Sequence, residues 1–365
     1  MKIPWAKPAI DASDRQEVRR TLRSNWLTMG PRTLEFESMM AAHATRRFAA
    51  AVCNGTAALD LGLRLLRLSP GDEVIVPALC YFATAAAVVS RGGVPVFADI
   101  EAEHPTISAA AIEGLVGPRT RLIVTMDYGG TPCDHTAIAR LAKRKGLRIL
   151  HDGAQSLGGE YRGSPLLAYG DVATTSFHAA KSVTTIEGGM VLTSTVADDR
   201  KVRLWRNQGE SPQKKYEHVE IGANYRISDL HAAVGVSQMR RIERLIAKRR
   251  LLAHTYSSQL GQLSAVRLPS ERALGRNGWF FYAVRIQDRN AAAAFLRDRG
   301  VETRIAYPKV LYDQPALRAW KRVRCPNAER FVREVLNLPM FDAMTKEQVR
   351  WVARVTGEFF GQREG

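Results

Sequence analysis

From about residue 50 to residue 195 the chain alternates short apolar runs with segments of helical periodicity, and this pattern restricts the fold more than any other feature. The runs are nearly continuous and rich in Val and Ile, which is typical of strands buried on both faces. Strands that alternate with helices predict right-handed crossovers and a mostly parallel sheet. The predicted strands are EVIVPA (73–78), VPVFADI (94–100), RLIVTMDY (121–128), LRILHDG (147–153), DVATTSF (171–177) and GMVLTS (189–194), with helices over 56–68 and 134–146 between them.

The part of the chain that follows this sheet predicts a second, smaller unit. A length of 365 residues suggests about two domains. We place a large α/β domain over 1–245 and a small α+β domain over 246–365. The expected elements of the later region are a long helix over 228–250 with Ser228 as its N-cap, a strand over 278–286, and helices over 291–300 and 346–360.

The chain is strongly basic, with a formal net charge of +17 and a pI of about 10.1. Such a charge is compatible with binding to nucleic acid, with attraction of a small anionic substrate, or with a solvated surface that has no binding role. The basic residues are spread along the whole chain, and no basic tail is present. Nucleic acid is therefore the least favoured of the three interpretations, and we expect no nucleic-acid partner.

The four cysteines lie far apart and show no CxxC or zinc-ligand spacing. We therefore expect a reduced, cytoplasmic compartment and no metal site. No apolar run approaches the roughly 20 residues that span a bilayer, so we also expect no association with a membrane.

Polar and small residues follow the predicted strands at the points where ligands gather on parallel sheets, the carboxyl ends. Asp152 and Gln155 follow one buried run, and Ser176 and His178 follow the next. A carboxylate at the end of a buried strand needs a partner. A structural ion pair is the alternative explanation for Asp152.

Two further turns at strand ends carry candidate ligand contacts. NGTAAL (54–59) opens a helix, and backbone N–H groups at a helix start attract phosphate. Gly55 would allow close approach there, and Thr56 adds a hydroxyl. Tyr81 lies in the turn after the strand at 73–78. An aromatic side chain at that position is either a part of the core or a surface on which a planar ring stacks.

Lys181 lies in SFHAAKSVTTIEGGMVLT (176–193) without a basic neighbour, whereas other basic residues cluster, as in KRK at 143–145. A lysine that reacts with an aldehyde must be neutral, which desolvation or a nearby cation favours. Lys181, a strand-end acid and a phosphate-binding turn together describe a site for pyridoxal 5′-phosphate (PLP), whose usual partners are a lysine and an acid at the pyridine nitrogen.

At these residues the sequence closely resembles the sugar aminotransferases of the DegT/DnrJ/EryC1/StrS family, which belong to the fold-type I PLP enzymes. The resemblance covers nearly the whole chain, and the order and spacing of its motifs make it specific. The motifs are NWLTMGPRTLEFE (25–37), NGTAALDLGL (54–63), DEVIVPALCYFATAAAVVSRGGVPVFADIE (72–101), HDGAQSLGGEYRG (151–163), SFHAAKSVTTIEGGMV (176–191), GANYRISDLHAAVG (222–235) and LNLPMF (336–341).

The resemblance implies a role for each matching position. Lys181 would attach to the cofactor and later move the proton, Asp152 would pair with the pyridine nitrogen, and Tyr81 would stack on the ring. Gln155 would lie beside the ring and its phenolic oxygen. The implied phosphate contacts are Gly55, Thr56, Ser176 and, from a neighbouring subunit, Asn224; His178 follows the family pattern near the cofactor, and a packing role for it is equally compatible. Thr28, Arg226 and Tyr307 are the candidate substrate contacts.

The sequence departs from the common family pattern at three places on the substrate side. Ile186 stands where the family often has Gly, MDYGGTPCD (126–134) replaces a loop that often contains His, and IAYPKVLYDQPAL (305–317) lacks a His that several members carry. Members that dehydrate sugars carry His in place of the lysine, so Lys181 argues against that branch.

The implied activity is transfer of an amino group from glutamate, or glutamine, to a keto sugar carried on a nucleoside diphosphate, within a homodimer whose active site is shared. A keto-cyclitol acceptor is the alternative substrate. A catalytically silent binding or regulatory protein is the alternative of another class, which the set Lys181, Asp152 and Gln155 disfavours.

Overall fold

The computed structural model describes residues 1–361 and forms a seven-stranded sheet with helices on both faces. The strands of the large sheet and of two smaller sheets are β1 Phe48–Val52, β2 Glu73–Pro77, β3 Val94–Ala98, β4 Thr120–Met126, β5 Arg148–Asp152, β6 Glu160–Tyr161, β7 Ser164–Pro165, β8 Val172–Ser176, β9 Gly189–Thr193, β10 Gly275–Arg276, β11 Tyr282–Arg285 and β12 Val335–Leu338. The α-helices are α1 Ala12–Arg23, α2 Pro31–His43, α3 Gly55–Leu65, α4 Phe82–Ser90, α5 Ala109–Glu113, α6 His135–Lys145, α7 Val196–Arg206, α8 Asp229–Met239, α9 Ile242–Leu260, α10 Arg289–Asp298, α11 Pro326–Glu334 and α12 Lys346–Gly361.

The strand order in the large sheet is β1-β9-β8-β5-β4-β2-β3. Strands β3, β2, β4, β5 and β8 are parallel, and β9 is antiparallel to both of its neighbours, β8 and β1. All six predicted strands are present, and the prediction of a mostly parallel α/β sheet is confirmed. Because β9 reverses direction between β1 and β8, these two strands end at the same edge of the sheet.

Alternate residues of the strands enter different cores, as side chains of strands covered on both faces must. Val74 and Val76 pack into the core that also holds side chains of α3, α4 and α7, whereas Ile75 between them packs with side chains of α5 and α6. At the other end of the sheet, Ala49 and Ala51 face a core with α2 and α8. The sheet is therefore a buried middle layer.

The prediction of one long helix over 228–250 is wrong, because the helix is interrupted at Arg240 and Arg241. Ser228 does cap α8, its hydroxyl accepting from the N–H of His231 at 3.3 Å. The guanidinium of Arg241 reaches Asp14 of α1 at 2.6 Å, and this buried carboxylate holds the arginine at the break. α9 then restarts and runs ten residues past the predicted end, to Leu260.

The strand predicted over 278–286 is shorter, and only Tyr282–Arg285 pairs with β12. The preceding backbone bonds elsewhere: the N–H groups of Gly278 and Phe280 donate to the carbonyls of Gly130 and Gly129 at 2.9 and 2.8 Å. The helices predicted at 291–300 and 346–360 are present as α10 and α12. Together with α9, β11 and β12 they surround a separate apolar core. The domain boundary after residue 245 stays a prediction.

No helix of residues 1–361 is long and apolar enough to cross a membrane. All four cysteines are free thiols.

The buried carboxylate of Asp229 fastens the N-terminal segment to the start of α8. It accepts from the N–H groups of Gly30, Arg32 and Thr33 at 2.8, 3.0 and 2.9 Å, and from the Thr33 hydroxyl at 2.6 Å. These donors include N–H groups of the first turn of α2, which have no partner within their own helix. One carboxylate therefore accepts hydrogen bonds from the free N–H groups at the start of α2 and holds the turn before it in place.

Replacement of Asp229 by Ala leaves four donors without this acceptor, and the two donors of Thr33 are buried. We expect Asp229→Ala to lower the free energy of unfolding by about 3 kcal/mol or more, because each buried group left unpaired costs about 1–3 kcal/mol. Urea denaturation followed by circular dichroism measures this. Asp298→Ala, at an exposed site on α10, is the control and should change stability by less than about 0.5 kcal/mol. Equal effects in the two variants would contradict the stabilising role of the Asp229 carboxylate.

Candidate active site

A cavity of about 490 Å³ opens at the carboxyl ends of the strands, between the large sheet and the segments around Phe280 and Tyr307. Of the residues singled out in the sequence, the structure places in its lining Gly55, Thr56, Tyr81, Asp152, Gln155, Ser176, His178, Lys181 and Tyr307. The residues come from distant parts of the chain, and the parallel strands bring them together because β2, β5 and β8 end at the same edge.

The start of α3 forms a concave surface of backbone N–H groups beside the end of β8. The Asn54 side chain caps the helix by accepting from the N–H of Ala57 at 2.8 Å, which leaves the N–H groups of Gly55 and Thr56 directed out of the helix end. A Cβ on Gly55 would lie 2.9 Å from the Cβ of Ser176. Glycine is therefore required by the close approach of the helix to β8, and the result is an anion-binding geometry with a serine hydroxyl at its side.

Asp152 ends β5 with only 4% of its surface exposed. Its Oδ2 accepts from the Thr84 hydroxyl at 2.6 Å and its Oδ1 from the N–H of Ala154 at 3.2 Å. No cation within 4.0 Å pairs with it among the described residues. The carboxylate is thus oriented by two neutral donors, and a cationic group entering the cavity would find it without a competing ion pair.

Lys181 is half-buried in the turn that follows β8, and the N–H of Lys181 donates to the carbonyl of His178 at 2.9 Å. Its Nζ lies 4.6 Å from the centre of the Phe280 ring. Burial lowers the pKa of Lys181 from its ordinary value of 10.5 to about 8, although the negative charge of Asp152 acts in the opposite direction. The amine is therefore neutral in a substantial fraction of molecules at mildly alkaline pH.

The amide of Gln155 is fixed at both ends. Its Oε1 accepts from the N–H of Gly129 at 2.7 Å and its Nε2 donates to the Tyr307 hydroxyl at 2.7 Å. The Tyr307 ring lies 5.8 Å from the ring of Tyr81, which is 60% exposed at the N-terminus of α4. The exposed face of Tyr81 offers a planar surface to a ligand ring, and Tyr307, a substrate candidate in the sequence, lies beside it.

Three predicted residues lie outside this cavity. Thr28 and Asn224 are exposed, and the side chain of Arg226 donates to Asn207 Oδ1 at 2.9 Å. His178 lines the cavity but is exposed, with its Nε2 3.8 Å from Glu187 Oε1. The chain itself therefore brings Lys181, Asp152 and the anion-binding turn together, and it does not bring Asn224 to them.

Sequence reasoning missed several residues of the site. Thr84 follows Tyr81 by three positions, so it lies on the same face of the first turn of α4, and this spacing could have identified it. Asn54 has the ordinary signal of an N-cap. Phe280, Glu187 and Trp5 also line the cavity, and no local signal marks them because their positions depend on long-range packing.

Ile186, the departure in the lysine-bearing segment, has a φ of 72° and is 52% exposed. A β-branched residue rarely adopts this left-handed conformation. Neighbouring hydrogen bonds hold it there: its N–H donates to Thr184 Oγ1 at 2.8 Å, and Thr184 N–H donates to Gln238 at 2.9 Å. Hydrogen bonds of Thr184 therefore hold the turn, and Ile186 is not among the residues that line the cavity.

A buried polar network lies on the opposite side of β5 from Asp152. Asp127 accepts from Ser156 at 2.8 Å and lies 3.1 and 3.2 Å from the Nε2 atoms of His135 and His151. Burial alone would raise the pKa of the Asp127 carboxyl, but the two histidines outweigh it and hold the pKa well below its usual value. These three residues have a spacing that a metal ion could use, a possibility that the sequence analysis missed; in this structure they bond to one another and tie β4 to the turn after Asp152.

The whole chain matches relatives of one family. The model of the DegT/DnrJ/EryC1/StrS aminotransferase family matches residues 8–356. GDP-perosamine synthase of Escherichia coli O157:H7 is 31% identical over 364 residues, which is 99% of each protein. Among solved structures, DesV of S. venezuelae is 32% identical with a TM-score of 0.93 over 98% of both chains, and Spr1654 of Streptococcus pneumoniae, solved in a PLP form, is 25% identical with a TM-score of 0.94 over 99% of both chains.

The pKa of Lys181 can be tested in the cofactor-free protein by labelling with an amine-reactive reagent across a pH series. The reagent attacks only the neutral amine, so we expect labelling of Lys181, followed by peptide mass spectrometry, to rise with a midpoint near pH 8. In Asp152→Asn the midpoint should fall further, because the negative charge that favours the ammonium form is lost. A midpoint that moves upward in this variant would contradict the electrostatic relation.

Proposed function

Because the chain belongs to the DegT/DnrJ/EryC1/StrS aminotransferase family and is an aminotransferase, we propose that it transfers an amino group from glutamate to a keto sugar carried on a nucleoside diphosphate. The observation that supports this most directly is the convergence of Lys181 with the buried Asp152 in one cavity. Glutamine is the second candidate for the amino donor.

We propose that the cavity holds PLP, in keeping with the PLP form of the related Spr1654. The residues fit this group: the helix start at Gly55 and Thr56, with Ser176, suits the phosphate, and the buried acid Asp152 suits the pyridine nitrogen. When bound, PLP supplies an electron sink for the negative charge that develops on the carbon next to the transferred nitrogen.

Lys181 is the proposed attachment point and the general acid-base group. Its lowered pKa leaves a neutral amine, which would hold the cofactor and would accept a proton from the substrate carbon. Packing against Phe280 keeps water from the amine on that side. The same amine, once protonated, would return the proton to the carbon on the other side of the transferred nitrogen.

The other side chains orient the cofactor. Asp152, aligned by Thr84, would keep the pyridine nitrogen protonated, and Tyr81 would cover one face of the ring. Gln155 is held between Gly129 and Tyr307, so its amide is fixed before anything binds. Such preorganisation lowers the reorganisation that the reaction requires. His178 remains a candidate cofactor neighbour at the rim.

The proposed acceptor follows from the relatives and the charge. GDP-perosamine synthase, by its name, makes a nucleotide-linked amino sugar, and the net charge of +17 would attract a diphosphate. Thr28, Arg226 and Tyr307 are the proposed contacts for this substrate. A keto-cyclitol acceptor is the less favoured alternative.

We propose that the enzyme is a homodimer with a shared active site, located in the cytoplasm. Asn224 lies outside the cavity of its own chain, as expected if it contributes to the phosphate site of the partner. The preceding segment exposes Tyr216 at 78% and Ile221 at 86%, and such apolar exposure is costly without a cover. The division into domains 1–245 and 246–365 is likewise proposed.

Removal of the lysine amine tests the assignment of Lys181. We expect Lys181→Ala to fold normally, to lose the visible absorbance of the covalently attached cofactor, and to lose turnover by at least about 10²-fold. Lys201→Ala, on the exposed side of α7, is the control and should retain both. Unchanged absorbance in Lys181→Ala would reject the assignment.

The role of Asp152 is separable from binding. Asp152→Asn keeps the volume and removes the charge, so we expect the cofactor to remain bound while turnover falls by about 10²-fold or more, because the electrostatic stabilisation is lost. Dialysis against cofactor-free buffer followed by absorbance measures binding, and steady-state assays measure turnover. Turnover near that of the unmodified protein would contradict the pyridine role.

The acceptor class is tested by incubating the enzyme with glutamate or glutamine and either nucleoside-diphosphate keto sugars or free keto-cyclitols. Mass spectrometry of the products should show amination of the nucleotide-linked sugar. Amination of the cyclitol alone would overturn the proposed acceptor.

A further inference from the structure

A second cavity, of about 300 Å³, lies behind the candidate active site and on the other side of Phe281. It is bounded by β11, α11, the segment 100–105 and the segment 267–270. None of the residues to which the sequence or the family resemblance gives a catalytic role lines it. It is large enough for a small organic ligand, at the lower end of the range of ligand pockets.

One face of β11 looks into this cavity. Tyr282 and Val284 are fully buried in the C-terminal core, whereas Ala283 and Arg285 alternate with them and line the cavity. Ala283 is only half-buried, because its small side chain leaves the floor of the cavity open.

The wall that faces β11 is one side of α11. Asn327, Arg330 and Phe331 line the cavity, at the spacing that places residues on the same face of a helix. Trp279 and Phe281 add two further aromatic side chains, each less than 9% exposed. The cavity thus combines aromatic walls with a polar rim.

Two buried polar atoms in the lining have no hydrogen-bond partner among residues 1–361. Asn277 is 1% exposed, and its Oδ1 is unpaired, as is Nδ1 of His104. Burial lowers the pKa of His104, and Arg272 adds to this effect. Buried polar atoms are nearly always paired in native proteins, so an unpaired one in the lining of a cavity calls for an explanation, and a bound group is one.

The charges at the rim favour an anion. Arg267 lies directly opposite Arg285 in an antiparallel bridge, which places two like charges side by side. Arg285 is neutralised by Glu334 at 2.6 Å, but among the described residues neither Arg267 nor Arg330 has an acid within 4.0 Å. On the opposing side, Glu101 is paired with Arg272 at 2.6 Å, and the exposed Glu103 is the remaining acid.

We propose that this cavity is a second binding site, for a nucleoside monophosphate. Its ring would pack against Phe281 and Trp279 and donate an N–H to Asn277 Oδ1. Its phosphate would lie between Arg267 and Arg330, the two arginines of the rim that have no acidic partner among the described residues. The proposal does not depend on which acceptor the active site aminates.

An occupant would touch groups that also shape the active site. Phe281 lines both cavities. Gly129, in the wall of the second cavity, donates to Gln155, and the hydroxyl of Tyr128 donates to the carbonyl of Ala306, next to Tyr307. The two sites therefore share a wall and a turn.

Binding is measured by isothermal titration calorimetry on the cofactor-loaded protein with UMP and GMP as probes, and with uridine, guanosine and inorganic phosphate for comparison. We expect at least one nucleotide to bind at least tenfold more tightly than its nucleoside and than phosphate. The double variant Arg267→Ser/Arg330→Ser should weaken this binding at least tenfold. Arg200→Ser/Arg318→Ser removes the same charge from exposed sites elsewhere and should leave binding unchanged.

A cavity-filling variant separates the cavity from surface charge. Ala283→Leu keeps every charge and fills the floor, so it should abolish nucleotide binding while circular dichroism shows a folded protein. The proposal is overturned if no nucleotide binds, if inorganic phosphate binds as tightly, or if both arginine pairs weaken binding equally. Binding retained in a folded Ala283→Leu variant would overturn it as well.

Discussion

The close approach of α3 to the end of β8 is the constraint on which the rest of the site depends. It arises because β9 runs antiparallel between β1 and β8, so that the turn after β1 arrives at the same edge as Ser176. The absence of a side chain at Gly55 allows the contact. With the helix start fixed there, the distance from an anion-binding turn to the buried carboxylate at the end of β5 is set by the spacing of strands alone.

Opposing electrostatic effects act on Lys181, and their balance decides its chemistry. Burial disfavours the ammonium form, whereas Asp152 favours it, and burial wins. The same carboxylate would pair with a cationic ring nitrogen. The charge that this pairing needs therefore also favours the unreactive ammonium form of Lys181. Two neutral donors rather than a cation orient Asp152, which leaves its charge available to a ligand.

The sequence was sufficient to predict six of the seven strands of the large sheet, all except β1, because their apolar runs are short and bounded by turns. It also indicated Lys181 and Asp152, since a lone lysine and a strand-end acid are local features. It did not indicate the break at Arg241, which depends on Asp14 more than 200 positions away. The Asp127 network and the contact of Phe280 with Lys181 were missed for the same reason, because each requires segments that only the fold brings together.

The hydrogen bonds that Asp229 accepts from the N-terminal segment have a consequence for how the protein can be handled. The donors all lie before residue 34, so the first 33 residues are not a detachable tail. Proteolytic loss of that segment would leave the buried carboxylate at the start of α8 without its donors and would remove α1, which packs against α8. Trimming from this end should therefore cause aggregation rather than a shorter, soluble enzyme.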